Sequence, residues 1–366
     1  MRMLYTGIVS LVALVAAPLL ANAGLAEACA GLIGSNGAVN LGRTTTLAGY
    51  SDGVEHYVTA FEFQGGGGEF GTLIPLPGVP SKVERGGDWT LQRLQRETQR
   101  ADLRAAAFGA EESLDAGGVE VLQEVRIDAL DITVLKGGAP DVAVWAKDHG
   151  FRLSPDAPEV LDFYAQRSPI FLAAVFDGEA AAERGQALGD GTPVHITMPT
   201  KNPWVPLRIL GLGKQAEDFV QADVYLLTDR KPALLPAPND GLLLTHDQEA
   251  NDLLLDDLRS DAGMGWVPDS AWLTKLEINS SAADLQYDLA VDTTDARSPS
   301  RVAAGLELPN FQDILFGGDI PTALYPLGGT EDDSGRPAVF WAAVAAGVLI
   351  VVAMVGLGVR PRGVRQ

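Results

Sequence analysis

Four histidines, one cysteine and 48 acidic residues are the raw material for chemistry in this 366-residue chain. His56, His149, His195 and His246 form no HExxH or paired-histidine spacing, and the lone Cys29 excludes CxxC sites and any intrachain disulfide. His56 and His195 fall inside alternating, strand-like runs, where a packed structural role outweighs a catalytic one. His246-Asp247 with Glu249, Asp252, Asp256 and Asp257 offers oxygen ligands, but lacks the glycine-turn spacing of an EF-hand loop and reads as a solvated helix face. No GxSxG nucleophile elbow occurs, and Cys29 has no base beside it. Paired carboxylates for glycosidic chemistry cannot be singled out among so many acids. The sequence therefore names no catalytic residue, no metal ligand and no cofactor, and leans away from an enzyme.

Gly66-x-Gly68-x-x-Gly71 matches a dinucleotide fingerprint only as a string of letters. A helix must follow to meet the pyrophosphate, and Thr72-Leu73-Ile74-Pro75-Leu76-Pro77 cannot begin one. Those prolines suggest something else. Pro75 and Pro77, two apart, place their rings on one side of an extended chain and remove two backbone donors. Such a strand is expected to end a sheet or line a groove, with Trp89 and Trp204 as candidate aromatic walls for a ligand or partner. Pro75, Pro77, Trp89 and Trp204 are thus the candidate binding residues.

The elements that must position these residues read as strand-rich. Val39 to Ala48, Val54 to Phe63 and Phe70 to Leu76 alternate like strands of an antiparallel meander. Asp88 is expected to cap a helix running to about Ala107. Glu120 to Leu135 reads as one bent strand or two short ones, followed by helices near Pro140–His149 and Pro158–Gln166. Ile170 to Phe176 is a continuous apolar run, as in a strand buried on both faces. Strands are expected at 194–198, 207–212, 220–227, 273–278 and 285–291, with an acidic helix over Asp247–Arg259. The fold class is α+β: mixed, mostly antiparallel sheets with short helices, plus one C-terminal transmembrane helix.

Both ends of the chain address it to a membrane. Residues 1–23 have a basic start at Arg2, an apolar stretch and Ala21-Asn22-Ala23, the pattern of a cleaved signal peptide. A cut after Ala28 would instead expose Cys29 as in a lipoprotein, although Glu27 fits that signal poorly. Residues 338–359 carry no charge and are long enough to span roughly 30 Å of hydrocarbon. Arg360, Arg362 and Arg365 should keep the tail, residues 360–366, cytoplasmic. Residues 24–327 then form an extracytoplasmic domain with a candidate subdomain break at 180–192, and 328–337 a juxtamembrane stalk. With the four terminal arginines set aside, 23 basic residues face 48 acidic ones. So acidic a body argues against nucleic acid as a partner.

A family resemblance rests on several of these segments. Gly68 to Pro80, with its Leu73-Ile74-Pro75-Leu76-Pro77 core, is similar to the aromatic and Pro-x-Pro element of the bacterial domain of unknown function 2330 family. Cys29-Ala30-Gly31 resembles that family's early Cys-Gly-Gly, with Ala30 as a departure. Val125 to Phe176, including Tyr164, and Trp204-Val205-Pro206-Leu207-Arg208-Ile209 resemble its later elements. The resemblance implies secretion and membrane anchoring, with no established reaction. The expected function is a membrane-anchored, non-enzymatic domain that binds an unknown envelope protein or polymer. The alternative is an envelope hydrolase whose acid and base follow no known motif.

Overall fold

A computed structural model of the chain describes residues 31–34, 37–38, 43–62, 70–99, 121–183 and 191–309. The expected signal peptide, stalk, apolar span and tail lie outside these residues. No helix among the described residues is long and apolar enough to cross a membrane.

The first half of the chain supplies β1 (Gly31–Gly34), β2 (Gly37–Ala38), β3 (Arg43–Ser51), β4 (Val54–Glu62), β5 (Phe70–Leu76), β6 (Lys82–Arg85), α1 (Thr90–Thr98), β7 (Val121–Ile127), β8 (Leu130–Lys136), α2 (Ala139–Asp148), α3 (Ala157–Ala165) and β9 (Ile170–Phe176). The second half adds α4 (Gly178–Glu183), β10 (Gly191–Pro199), β11 (Trp204–Val205), β12 (Phe219–Thr228), β13 (Ala233–Leu235), β14 (Leu242–Glu249), α5 (Asp252–Ser260), β15 (Trp272–Ser281) and β16 (Leu289–Asp292). They assemble into a six-stranded sheet ordered β2-β1-β5-β9-β8-β7 and a seven-stranded sheet ordered β14-β15-β12-β3-β4-β10-β6. A small third sheet is ordered β11-β16-β13. Pairings are antiparallel except β12 against β3. Strands from both sides of residues 180–192 interleave in the seven-stranded sheet, because β10 pairs with β4 and β6.

Side-chain alternation explains the layers. On β9, Ile170, Leu172, Ala174 and Phe176 enter a core shared with Tyr57, Ile196, Leu226 and Leu276 of the larger sheet. The intervening Phe171, Ala173 and Val175 pack against Val142, Trp145, Leu161 and Tyr164 of α2 and α3. The apolar run is therefore needed on both faces, since successive residues of a strand point opposite ways. On the far side of the larger sheet, Leu47, Val58 and Tyr225 meet Leu91 and Leu94 of α1 and Leu254, Leu255 and Leu258 of α5. The result is four layers: helices, six-stranded sheet, seven-stranded sheet, helices.

Several local expectations are corrected. Residues 208–211 form a 3-10 turn where a strand is expected. The acidic segment splits: Asp247 and Glu249 belong to β14, and α5 starts only after Asn251, whose side chain caps it by accepting from Leu254 N. The cap of α1 is supplied from elsewhere in the chain. Asp88 turns away to pair with Arg85, and Asp261 accepts from Asp88 N, Trp89 N and the Thr90 hydroxyl. Finally, the proline strand β5 is interior. It pairs with β9 along its whole length and with β1 from Phe70 to Leu73. Pairing with β1 stops two residues before Pro75, so its missing donor is tolerated where the ladder is one-sided.

Candidate functional site

The most chemically capable cluster lies on the helix-covered face of the seven-stranded sheet. β10 sits between β4 and β6, and His195 stands opposite Glu84 on one side and Val58 on the other. His56, one pleat along β4, reaches across diagonally. Its Nδ1 lies 2.9 Å from His195 Nε2, and the rings stack with centroids 5.1 Å apart. Thr197 Oγ1 is 3.3 Å from the same Nε2. The Glu84 carboxylate lies 3.4 Å from His195 Nδ1, too long for a strong hydrogen bond but close enough to select a tautomer. With the proton on Nδ1, His195 Nε2 accepts from His56 Nδ1–H, which leaves His56 Nε2 with its lone pair. The arrangement is a carboxylate–imidazole–imidazole chain ending in a weak base.

Trp266, from the segment after α5, roofs this chain. Its indole lies parallel to the His56 ring at 4.2 Å and 2°, and 5.5 Å from His195. Gly49, opposite His56 on β3, makes the room: a Cβ there would sit 2.4 Å from the Trp266 ring. Burial under this roof pushes both imidazoles down to a pKa of about 4. Glu84 opposes that shift in both rings. Both are therefore neutral at pH 7. The other two histidines do not join them. His149 packs on Trp145 and donates to its carbonyl oxygen at 2.8 Å, while His246 lies on β14. Among the described residues no group of three His, Cys, Asp or Glu could hold a metal ion.

A second polar feature occupies the opposite face of β4. Glu55 is fully buried, accepts from the Trp204 backbone N–H, and keeps Oε2 without a partner. Desolvation raises its pKa to about 8. Its carboxyl borders a small cleft between the larger sheet and the three-stranded sheet.

The residues expected to bind do not form one wall. Pro75 is buried in β5, and Pro77 is half-buried beyond its end. Trp89 is half-buried just before α1, on the far helical layer. Trp204 is only 3% exposed and stacks on Tyr164 at 5.7 Å in the core behind the six-stranded sheet. Beside it lies a buried ion pair, Arg167 Nη2 to Asp288 Oδ2 at 2.5 Å. Asp288 Oδ1 also accepts from the Tyr164 hydroxyl at 2.9 Å and from Leu207 N at 2.7 Å. Tyr164 and the Trp204–Ile209 segment, far apart in sequence, thus meet at one carboxylate. These contacts satisfy the groups they bury, so the cluster is a structural tie.

Histidine pair, Glu55 and Asp288 tie were missed for a common reason. Each depends on contacts between segments more than 100 residues apart, by strand register for the histidines and by packing between layers for the other two. The available signal was parity: His56 and His195 each sit one residue from an inward-facing apolar neighbour, which assigns both to the outer face.

Two facing sheets between two outer helical layers, with a stacked histidine chain on the larger sheet, define a mixed α+β sandwich domain. The chain belongs to the bacterial family described as "Uncharacterized protein conserved in bacteria" (DUF2330), which residues 24–297 match. No curated protein matches the sequence. Among solved structures, the crystal structure of baculovirus P35 is similar at 9% identity and a TM-score of 0.36, covering 69% of this chain and 96% of that one. A mutated baculovirus P35 after caspase cleavage gives 10% identity and a TM-score of 0.36, covering 69% of this chain and 100% of that one. At these values the likeness bears on no functional question.

Proposed function

We propose that this chain is a membrane-tethered, extracytoplasmic binding domain whose partner docks as an extended segment along the outer edge of β14. One observation carries the reading. β14 ends the seven-stranded sheet, runs for eight residues and displays Leu243 and Leu244 at 43% and 41% exposure. An exposed apolar edge is a template for strand addition unless it is blunted. The other edge of the same sheet, β6, has four residues and begins with the exposed Lys82. The bulge between Leu244 and His246 limits the docked partner to short paired runs. Asp240, Asp247 and Glu249 beside the leucines, on an acidic body, favour a basic partner. The charge-free segment 338–359 with its trailing arginines supports the tether, and residues 1–23 support export.

The test uses the full chain in detergent and a labelled peptide of alternating valine and lysine. The peptide is expected to bind, and N-methylation of alternate residues, which removes donors, should weaken it at least about 10-fold. The double substitution Leu243→Ser and Leu244→Ser should weaken it comparably without altering circular dichroism. Equal binding by both peptides, or by both proteins, would sink the edge reading.

A hydrolase reading has one observation in its favour, the Glu84–His195–His56 chain. Trp266 stacked on His56 weighs against it, because the indole occupies the ring face a substrate would approach.

A further inference from the structure

The Glu84–His195–His56 chain lies on β6, β10 and β4, at the end of the seven-stranded sheet opposite to β14, and stands independently of the docking edge. Two ring nitrogens converge there. His56 Nδ1 and His195 Nε2 are 2.9 Å apart and the imidazole planes differ by only 24°, so the two nitrogens face each other nearly in the plane of both rings. Thr197, paired with His56 across the ladder, brings Oγ1 to 3.3 Å from the same Nε2. Behind His195, Nδ1 faces the Glu84 carboxylate at 3.4 Å. A carboxylate behind the far nitrogen is the usual support of a metal-ligating histidine, because it fixes the tautomer that leaves the near nitrogen free to ligate. All four residues sit on paired strands, which hold donors more precisely than loops do.

We propose that His56 Nδ1 and His195 Nε2 bind one soft monovalent metal ion, Cu(I) or its analogue Ag(I), in line between them beneath the Trp266 indole. The donor set selects the ion. A divalent ion needs further strong ligands, and no group of three His, Cys, Asp or Glu among the described residues can hold one. A closed-shell monovalent ion accepts two imidazoles in a line. The roof favours it further: the indole lies parallel to His56 at 4.2 Å and over His195 at 5.5 Å, and a ring face attracts a cation within about 6 Å. Nearby charge is balanced, since the Glu84 carboxylate also pairs with Lys82 Nζ at 2.6 Å. Two bonds of about 2 Å end to end put the nitrogens about 4 Å apart, so the rings part by about 1 Å from their 2.9 Å separation. His56 and Trp266 are half-buried, and the indole N–H has no hydrogen-bond partner among the described residues. The roof therefore rests on ring contacts alone and can shift by that amount.

Uptake relocates one proton and changes no oxidation state. The His56 proton leaves Nδ1 and is replaced at Nε2 through water, while His195 keeps its proton on Nδ1 towards Glu84. Two neutral imidazoles then hold the ion.

The experiment titrates the full chain in detergent with Ag(I), and with Cu(I) under argon and ascorbate against a chromophoric Cu(I) chelator. One equivalent is expected to bind and to quench part of the tryptophan fluorescence. His195→Gln should weaken binding at least about 100-fold, beyond the loss typical of an outer partner. Trp266→Phe should keep the equivalent and lose the quenching. Cys29→Ser should change neither, which separates the site from the lone thiol. X-ray absorption at the copper edge needs no variant and is expected to show two nitrogen neighbours. Sulfur bound to the copper, unchanged affinity in His195→Gln, quenching that survives Trp266→Phe, equal affinity for Zn(II), or no uptake at all would overturn the proposal. None of these results bears on β14, which neither the ions nor the variants touch.

Discussion

At the residue scale, the histidine pair is a conformational lock before it is anything else. His56 and His195 are held neutral by burial, each with a pKa of about 4 against 6.5 when free. Depressed folded values mean that the unfolded chain takes up protons first as pH falls. The pair's contribution is therefore fully present above pH 6.5 and is lost as pH falls toward 4. Urea midpoints measured from pH 7 to pH 4 should decline for the natural protein, and His195→Gln should flatten much of that decline. Identical slopes in the two proteins would show that the pair is not held neutral. Here the sequence was informative about face and silent about partner. His195 lies between Val194 and Ile196, both fully buried, so its outward direction follows from alternation. That it would meet His56 follows only from the register of β10 on β4.

At the element scale, helices are placed by borrowed groups as much as by their own sequence. α1 has no side-chain cap of its own, and Asp261 takes three of the donors around its first turn. The approach is so close that a Cβ on Gly87 would sit 2.4 Å from Asp261 Oδ2. Asp261→Ala should cost about 2 kcal/mol, combining a lost cap with donors left unpaired. Asp88→Ala should cost no more than about 0.5 kcal/mol, because that carboxylate makes only a surface pair with Arg85. Chemical denaturation of the two variants decides which aspartate holds the helix. The sequence pointed to Asp88 because an acidic residue before an apolar helical run is the usual local signal. A cap reaching in from 170 residues away leaves no such trace. Strand β9, by contrast, was legible in full, since seven consecutive apolar residues are required wherever both faces of a strand are covered.

For the whole molecule, the third sheet and the helical layer are tied together at Asp288. Tyr164 comes from the end of α3, Arg167 from the turn just after it, Leu207 from the segment after β11, and Asp288 from the residue preceding β16. Asp288 is fully buried and Arg167 nearly so. Removing one member leaves a buried charge without its counterion. Asp288→Ala should therefore lower stability by about 3–5 kcal/mol in equilibrium denaturation. Arg208→Ala, whose charge pairs with the exposed Glu159, should cost about 1 kcal/mol or less. Comparable losses from both would remove the case for a central tie. The resemblance segments around Tyr164 and Pro206-Leu207-Arg208 are brought together at this point, which gives those elements a packing role.

The sequence by itself determined the mixed, mostly antiparallel α+β character, most strands and the family, because alternation, apolar runs and turn residues are local signals of burial. It also set the acidic charge and the charge-free segment at 338–359, which depend on composition alone. The tertiary structure decided which residues act together. It buried Trp204, made the proline strand interior, moved the α1 cap to Asp261 and joined His56 to His195 and Glu84. Each of those outcomes depends on inter-strand register and layer packing, which bring distant segments to within hydrogen-bond reach and which no local pattern encodes.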